Sequence, residues 1–222
     1  MNNIKTTKAY KGLPMEGVIA SWYAKTTLKD LKRHKLMAKQ LVEKIPANGK
    51  VLEIAPGPGY FCIELAKLGN YQITGLDISK SFVEIARKNA AAAGLKIDFR
   101  DGNASAMPFK ENTFDFTFCQ AAFKNFSEPV KAIAEMYRVL RPGGISVIVD
   151  LCRDASVEEI DREVKGMGLG PINHFVVRWT FDKMLIKSAY SVSDMESMIA
   201  QTPFKKGKID VDGVGFRVWL EK

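Results

Sequence analysis

The chain has 222 residues, of which 46% are hydrophobic and 26% charged, as in one globular domain. This composition excludes collagenous and disordered chains, and no apolar run approaches the roughly 20 residues that cross a bilayer. The first five residues lack the apolar stretch of a signal peptide, so we expect a cytoplasmic protein. Cys62, Cys119 and Cys152 lack paired spacing, which favours small buried side chains over a disulfide framework or a metal site.

The net charge of +8 lies entirely in the amino-terminal segment. Residues 1–50 hold 11 Lys/Arg and three Asp/Glu, whereas residues 51–222 hold 22 of each sign. Such a segment could attract an anionic substrate, a nucleic acid or an anionic membrane surface, or it could be a solvated helix face.

The first elements alternate between helix and strand patterns. Apolar residues at helical spacing predict a helix from Thr27 that ends before Pro46. Residues 50–55 are predicted to form a buried strand that runs into the glycine-rich loop at 56–59. A helix is expected to start at about Tyr60.

The next strand, at 71–76, ends directly before Asp77. Ser81 with Glu84 predicts a capping box for a helix that continues through Ala93. The alternation therefore continues.

Three further strands are predicted at residues 96–100, 114–119 and 145–150, with a helix from Glu128 to Leu140 that Arg141–Gly144 ends. This order is typical of a parallel sheet with helices on both faces. A capping box at Ser156 and Glu159 opens a less regular helical region, and a short helix is expected from Ser193. The last strands, 208–211 and 216–220, flank the hairpin signal Asp212-Gly213.

The glycine-rich loop and Asp77 indicate an adenosine cofactor. Gly57 and Gly59 permit a tight turn and a close approach of a ligand to the backbone. Ligands of open α/β sheets bind at the carboxyl ends of the strands, where Asp77 would accept hydrogen bonds from both ribose hydroxyls. Cys62 stands where a dinucleotide fingerprint needs a small residue, and Glu53 adds a carboxylate that suits a cationic sulfonium better than a pyrophosphate.

Five motifs resemble those of the class I S-adenosylmethionine (SAM)-dependent methyltransferases. The run from Val51 to Gly59 is similar to the first motif of that family, with two aliphatic residues, an acidic residue and alternating glycines. The others are Gly75-Leu76-Asp77-Ile78-Ser79, Asp101-Gly102-Asn103-Ala104, Met107-Pro108-Phe109 before Phe114-Asp115, and the run from Arg138 to Gly144. The resemblance covers about residues 45–150. It is closest to the small-molecule branch that contains the ubiquinone and menaquinone biosynthesis methyltransferases.

The resemblance implies a Rossmann-like three-layer α/β sandwich, whose seven-stranded sheet is mostly parallel with an antiparallel last strand. It implies SAM as cofactor, S-adenosylhomocysteine (SAH) as product and a small-molecule acceptor, anionic or aromatic. It also implies one methyltransferase domain over 1–222. The parts of that domain are a basic helical cap (1–46), a SAM-binding core (47–150), a helical substrate insert (151–206) and a closing hairpin (207–222).

The resemblance further implies roles for individual residues. Glu53 to Gly59 would line the methionine part of the cofactor, Asp77 would hold the ribose, and Ile78 would pack on adenine. Gln120 would face cofactor and substrate, and Tyr23 would close over the carboxylate end. The implied cofactor-binding set is Tyr23, Glu53, Ala55, Gly57, Gly59, Asp77, Ile78, Asp101, Gly102, Asn103, Ala104 and Gln120.

Two departures from the family pattern bear on chemistry. Ala55 replaces the first glycine of the motif, which is tolerable if that position has a negative φ. The stretch 122–126 carries Lys124 and Asn125 where quinone-pathway relatives have paired histidines, which puts methylation of a quinone ring in doubt.

A base is needed only if the acceptor must lose a proton before attack. Of the two histidines, His174 is the better candidate for a catalytic base, whereas His34 is expected on a solvated face. The aromatic residues Phe123, Phe175, Trp179 and Phe181 could wall an apolar acceptor site or form plain core.

Three other functions stay open. The basic segment suits a nucleic-acid methyltransferase, although the Asn-Pro-Pro-aromatic motif of amino-group DNA methylation is absent from the sequence. A nicotinamide-dependent reductase would bind a dinucleotide, and a SAM-binding protein without catalysis would show the same cofactor motifs. The oligomeric state is not indicated.

Overall fold

The computed structural model describes residues 10–11, 14–168 and 170–222. Within these residues the strands are β1 (Lys50–Ile54), β2 (Gln72–Asp77), β3 (Asp98–Asp101), β4 (Phe114–Gln120), β5 (Leu140–Leu151), β6 (Lys208–Asp212) and β7 (Gly215–Glu221). They form one sheet in the order β3-β2-β1-β4-β5-β7-β6. β1 to β5 run parallel, while β7 pairs antiparallel with both β5 and β6. The predicted sheet is confirmed.

The helices of the same residues are α1 (Gly17–Thr27), α2 (Leu31–Leu41), α3 (Tyr60–Ala66), α4 (Lys80–Ala92), α5 (Pro129–Val139), α6 (Val157–Gly166), α7 (Pro171–Thr180) and α8 (Val192–Ala200). Short 3₁₀ turns follow α1 and α2, so residues 17–44 are almost continuously helical. In the part of the chain that the structure describes, no helix is long and apolar enough to cross a bilayer.

The sheet is covered by helices on both faces, as the sandwich requires. Val51 of β1 packs in one core with α2, α3 and α4, while Leu52 and Ile54 pack in a second core with α5 and α8. Successive side chains of a strand point to opposite faces, so Glu53 lies on the α3 side with Val51.

A third, smaller core joins α6, α7 and the π-helical turn at 181–186 to the hairpin. Phe181 and Ile186 pack there with Ile160, Val164 and Val214. Phe123 and Phe181 are thus plain core, whereas Phe175 and Trp179 are 71% and 54% exposed.

One predicted helix cap is wrong. Ser79, not Ser81, caps α4, because its Oγ accepts the backbone N–H of Phe82 at 3.0 Å. The short helix predicted from Ser193 is α8, which begins at Val192 and is capped by Ser191 in a capping box with Asp194. The predicted box at Ser156 is confirmed.

β5 begins earlier than predicted. Leu140 already pairs with Phe114, and the register then shifts so that Ile145 pairs with Phe116. The run Arg141–Gly144, predicted only to end a helix, is therefore an irregularity within β5, where Gly143 has a φ of 77°.

Candidate cofactor and acceptor site

Asp77 joins the glycine loop to the end of β2. Its Oδ2 accepts the backbone N–H of Gly57 and its Oδ1 that of Ser79, both at 2.9 Å. The side chain is buried, and burial raises the pKa of Asp77 to about 6 against the lowering effect of these two hydrogen bonds. The carboxylate thus lies at the carboxyl ends of the strands.

The loop after β1 contains three residues in the left-handed region. Ala55, Gly57 and Gly59 have φ values of 55°, 53° and 79°. A Cβ on Gly59 would approach Phe99 Cζ to 2.8 Å, whereas a Cβ on Gly57 would meet no atom within 4 Å. The condition of a negative φ at Ala55 is therefore not met, and Ala55 adopts a conformation that L-residues disfavour.

Glu53 is a second buried carboxylate at this edge. Its Oε2 accepts a hydrogen bond from the Cys62 thiol at 2.8 Å and from the Cys62 backbone N–H at 3.2 Å. Burial is the main cause that raises the pKa of Glu53 to about 7, and the nearby charge of Asp77 adds to it. Burial also raises the pKa of the Cys62 thiol, which stays protonated as a donor.

The end of β3 gives a partly open edge next to Asp77. Gly102 donates its N–H to the carbonyl of Asp77 at 2.9 Å, and the exposed Asp101 pairs with Asp77 across the strands. Asn103 Oδ1 already accepts the N–H of Ser105 at 2.9 Å and closes its own turn. Ile78 is 43% exposed, which leaves an apolar surface beside the carboxylate.

A buried ion pair lies at the ends of β4 and β5. Lys124 Nζ is 3.1 Å from Asp150 Oδ1, and the backbone N–H of Lys124 donates to Asp150 Oδ2 at 2.9 Å. The Lys124 and Asp150 side chains are only 10% and 1% exposed. Gln120, the last residue of β4, has a buried Oε1 without a partner among the described residues.

Met15 and Glu16 lie against the start of α4, just after the end of β2. Ser79 Oγ donates to the carbonyl of Met15, and the Glu16 carboxylate accepts the backbone N–H groups of Lys80 and Ser81, both at 3.0 Å. Glu16 thereby caps α4 together with Ser79.

Tyr10 lies close to the chain that follows β4. Tyr10 forms a β-bridge with Phe126, and the charges of Tyr23, Asp77 and Asp150 add to burial in raising the pKa of Tyr10. Tyr23 packs edge-on against Phe82 at 5.7 Å between ring centroids.

Comparisons with known proteins agree with this geometry. Residues 52–148 match the family described as "Methyltransferase domain". Demethylmenaquinone methyltransferases of Deinococcus radiodurans and Thermus thermophilus are 37% and 33% identical over 108 and 122 residues. These matches cover 48% and 54% of this chain and 45% and 54% of the relatives, so the chain spans about half the length of the curated relatives it matches.

Solved structures share the fold. A candidate SAM-dependent methyltransferase from Methanococcus maripaludis superposes with a TM-score of 0.75 over 97% of both chains, at 20% identity. The [4+2]-cyclase SpnF is 28% identical over 55% of this chain and 47% of its own, with a TM-score of 0.52.

Residues 52–148 therefore match a methyltransferase domain, and the chain shares the fold of a candidate SAM-dependent methyltransferase. The site fits SAM: the buried carboxylates of Glu53 and Asp77 suit a ligand that carries sulfonium and ammonium charges. Gln120 Oε1 lacks a donor that a ligand could supply. The structure brings these three residues and the glycine loop to one edge of the sheet.

The two histidines are both partly buried. His174 is half-buried on α7, and its Nε2 is buried without a partner in the described part of the chain. The expectation that His34 is solvated is wrong, because its ring packs on Tyr60 at 5.8 Å and its Nδ1 is buried. Burial lowers the pKa of His34.

Sequence reasoning missed Asp150 and Glu16. Asp150 could have been predicted as a site residue, because it lies at the carboxyl end of the fifth predicted strand, as Asp77 lies at that of the second. Glu16 had no local signal, because its partners Lys80 and Ser81 lie more than 60 positions away.

Proposed function

We propose that this chain transfers a methyl group from SAM to a small-molecule acceptor held at the ends of β4 and β5. The observation that carries the proposal is the Asp77 carboxylate, which is fixed by Gly57 and Ser79 at the edge where such folds bind ligands. We further propose that the amino-terminal helices and the insert at 153–190 form a lid over this edge.

SAM supplies an electrophilic methyl group, which forms a bond to the acceptor as its bond to sulfur breaks. The chain contributes position and exclusion of water. Asp77 would hold the ribose, Ile78 would pack on the adenine, and Asp101 to Ala104 would lie along the base. Glu53 and the loop from Ala55 to Gly59 would face the methionine part, with Tyr23 above it.

The proposed acceptor is the reduced form of a quinone-type ring, which can carry an ionised oxygen; the relatives are named for demethylmenaquinone. Lys124 supports this acceptor class, because its nearly buried ammonium lies at the strand ends and could donate a hydrogen bond to such an oxygen beside its ion pair with Asp150. An acceptor that is already an anion needs no base, so the absence of paired histidines at 122–126 is compatible with it. His174 stays a second candidate, as a base for an acceptor that is protonated.

The cofactor half is tested by calorimetric titration with SAH. We expect Asp77→Asn to weaken SAH binding by at least 10-fold, because an amide cannot accept from Gly57, Ser79 and the ribose together. Asp98→Asn makes the same chemical change on an exposed carboxylate at the other end of β3 and should bind as the wild type does. Stabilisation by NADH and not by SAH would contradict the proposal.

The transfer half is tested with methyl-labelled SAM and a panel of acceptors that includes reduced demethylmenaquinone. We expect label in the organic product and stoichiometric SAH. The similarity to a [4+2]-cyclase makes the control essential: a protein that binds SAH tightly but labels no acceptor would fit a SAM-binding protein with another role.

A further inference from the structure

Helix α1 buries two alanines and exposes several bulky apolar side chains. Ala20 and Ala24, which are 0% and 7% exposed, are its buried residues. Val18 and Trp22 are 85% and 64% exposed instead. A helix that only completes the fold would turn such side chains toward the core, so this outer face points to a partner.

The exposed apolar side chains are accompanied by cations. Val18, Trp22 and Lys25 follow the spacing i, i+4 and i+7, which places them on one face of α1. The next turns expose Leu28 and Leu36. The exposed cations of residues 17–44 are Lys25, Lys29, Lys32, Arg33, Lys35, Lys39 and Lys44.

These cations are free to meet an external anion. Residues 17–44 contain only two acidic residues, Asp30 and Glu43. No carboxylate of the described residues lies within 4 Å of any of the seven cationic groups. Within the described residues, the positive charge that accompanies the exposed apolar side chains is therefore not neutralised by a carboxylate.

We propose that the outer surface of residues 17–44, here called the 17–44 face, binds an anionic membrane surface. Val18, Trp22 and Leu28 would enter the boundary between headgroups and acyl chains, and the lysines would contact lipid phosphates. The charge complementarity decides the partner. A second copy of the chain would bring seven like charges together across a two-fold axis, and a nucleic acid would leave Val18 and Leu28 without an apolar environment.

The 17–44 face begins close to the cofactor and acceptor site. Gly17, the first residue of α1, donates its N–H to Ser81 Oγ at 2.9 Å, and Ser81 lies four residues after Asp77, the last residue of β2. A bilayer against the 17–44 face would therefore lie near the opening of the cofactor and acceptor site. This inference goes beyond the proposed methyl transfer and does not depend on it.

The test is co-sedimentation of the full chain with vesicles of phosphatidylcholine alone or mixed with phosphatidylglycerol. We expect binding to the mixed vesicles that weakens with salt. Lys25→Gln with Lys29→Gln should lower the partition coefficient by roughly fivefold per cation. Lys110→Gln with Lys206→Gln, two exposed lysines outside the face, should leave it unchanged.

The apolar part is tested with Val18→Ser and Trp22→Ser against Val211→Ser, which alters an exposed valine on β6. The first pair should reduce binding at least 10-fold and the control should not. In a Trp179→Phe, Trp219→Phe background, the emission of Trp22 should shift to the blue on anionic vesicles. Circular dichroism and thermal unfolding of each variant separate loss of docking from loss of folding.

Three results would overturn the proposal: no binding to mixed vesicles, equal binding by the Val18 and Trp22 variant, or steeply salt-dependent binding to RNA or DNA without binding to vesicles. The last result would assign the 17–44 face to a nucleic acid.

Discussion

The Cys62 thiol donates a hydrogen bond to Glu53 across 2.8 Å, on the buried side of the first strand's carboxyl end. A neutral thiol is a weak donor, so it offsets little of the cost of burying the carboxylate. We therefore expect the Glu53 carboxyl to ionise most readily when a bound cation lies beside it.

The first prediction concerns how stability varies with pH. Glu53 has a raised pKa of about 7 in the folded state, against about 4.3 in an unfolded chain. The folded state binds more protons between these values, so the free energy of unfolding should fall as pH rises through this window. Urea unfolding at several pH values should show Glu53→Gln removing on the order of 3 kcal/mol of that fall.

The control for this measurement is Glu158→Gln, which alters an exposed carboxylate on α6. It should keep the wild-type pH dependence. An unchanged slope in Glu53→Gln would mean that Glu53 is ionised throughout and that its burial is relieved by water.

The second prediction concerns Ala55, whose φ of 55° suits glycine. We expect Ala55→Gly to raise the free energy of unfolding by about 0.5–1 kcal/mol, because relief of the left-handed conformation outweighs the greater entropy of glycine in the unfolded chain. Ala91→Gly, exposed in the last turn of α4, should instead lower it, by less than about 1 kcal/mol. Chemical denaturation of the pair checks this, and a loss of stability in both would show that Ala55 is not strained.

Much of the fold follows from local patterns, and the errors come from contacts between distant residues. The strands at 50–55 and 114–119 were predictable because apolar residues and turn residues lie side by side in sequence. Ser81 was predicted to cap α4, but its hydroxyl and backbone N–H both donate hydrogen bonds to Glu16, which lies 65 positions earlier in the chain. The strain at Ala55 was not predictable either. The family motif has glycine at this position, and glycine adopts positive and negative φ alike, so the motif does not indicate the sign of φ.

The third prediction concerns the buried pair of Lys124 and Asp150. Lys124→Met leaves a carboxylate that is 1% exposed without its cation and should cost about 3 kcal/mol of stability. Adding Asp150→Asn should restore part of the loss, since the uncompensated charge is removed. Lys131→Met breaks an exposed pair with Glu128 and should cost less than about 0.5 kcal/mol. Equal effects of the two lysine variants would mean that Lys124 is solvated.

The fourth prediction concerns the contact between the amino-terminal segment and α4. Glu16→Gln weakens the acceptor for Lys80 and Ser81 and should cost about 1 kcal/mol, as the loss of a helix cap does. Because this segment lies just after the strand end at Asp77, we also expect SAH to dissociate several times faster in stopped-flow measurements. Glu43→Gln, exposed after α2, is the matched control. An unchanged dissociation rate would show that the segment does not limit exit of the ligand.

The pairing of β7 with β5 sets where attachments to this protein are harmless. Lys222 exchanges backbone hydrogen bonds with Gly143 and Gly144, at the start of β5, whereas Gly215 pairs with Leu151 at its end. Seven residues of strand separate the two, about 20 Å. A fluorophore, bead or fusion partner attached at Lys222 therefore lies at the edge of the sheet opposite the site. One attached near Tyr10 would lie at the entrance of the site.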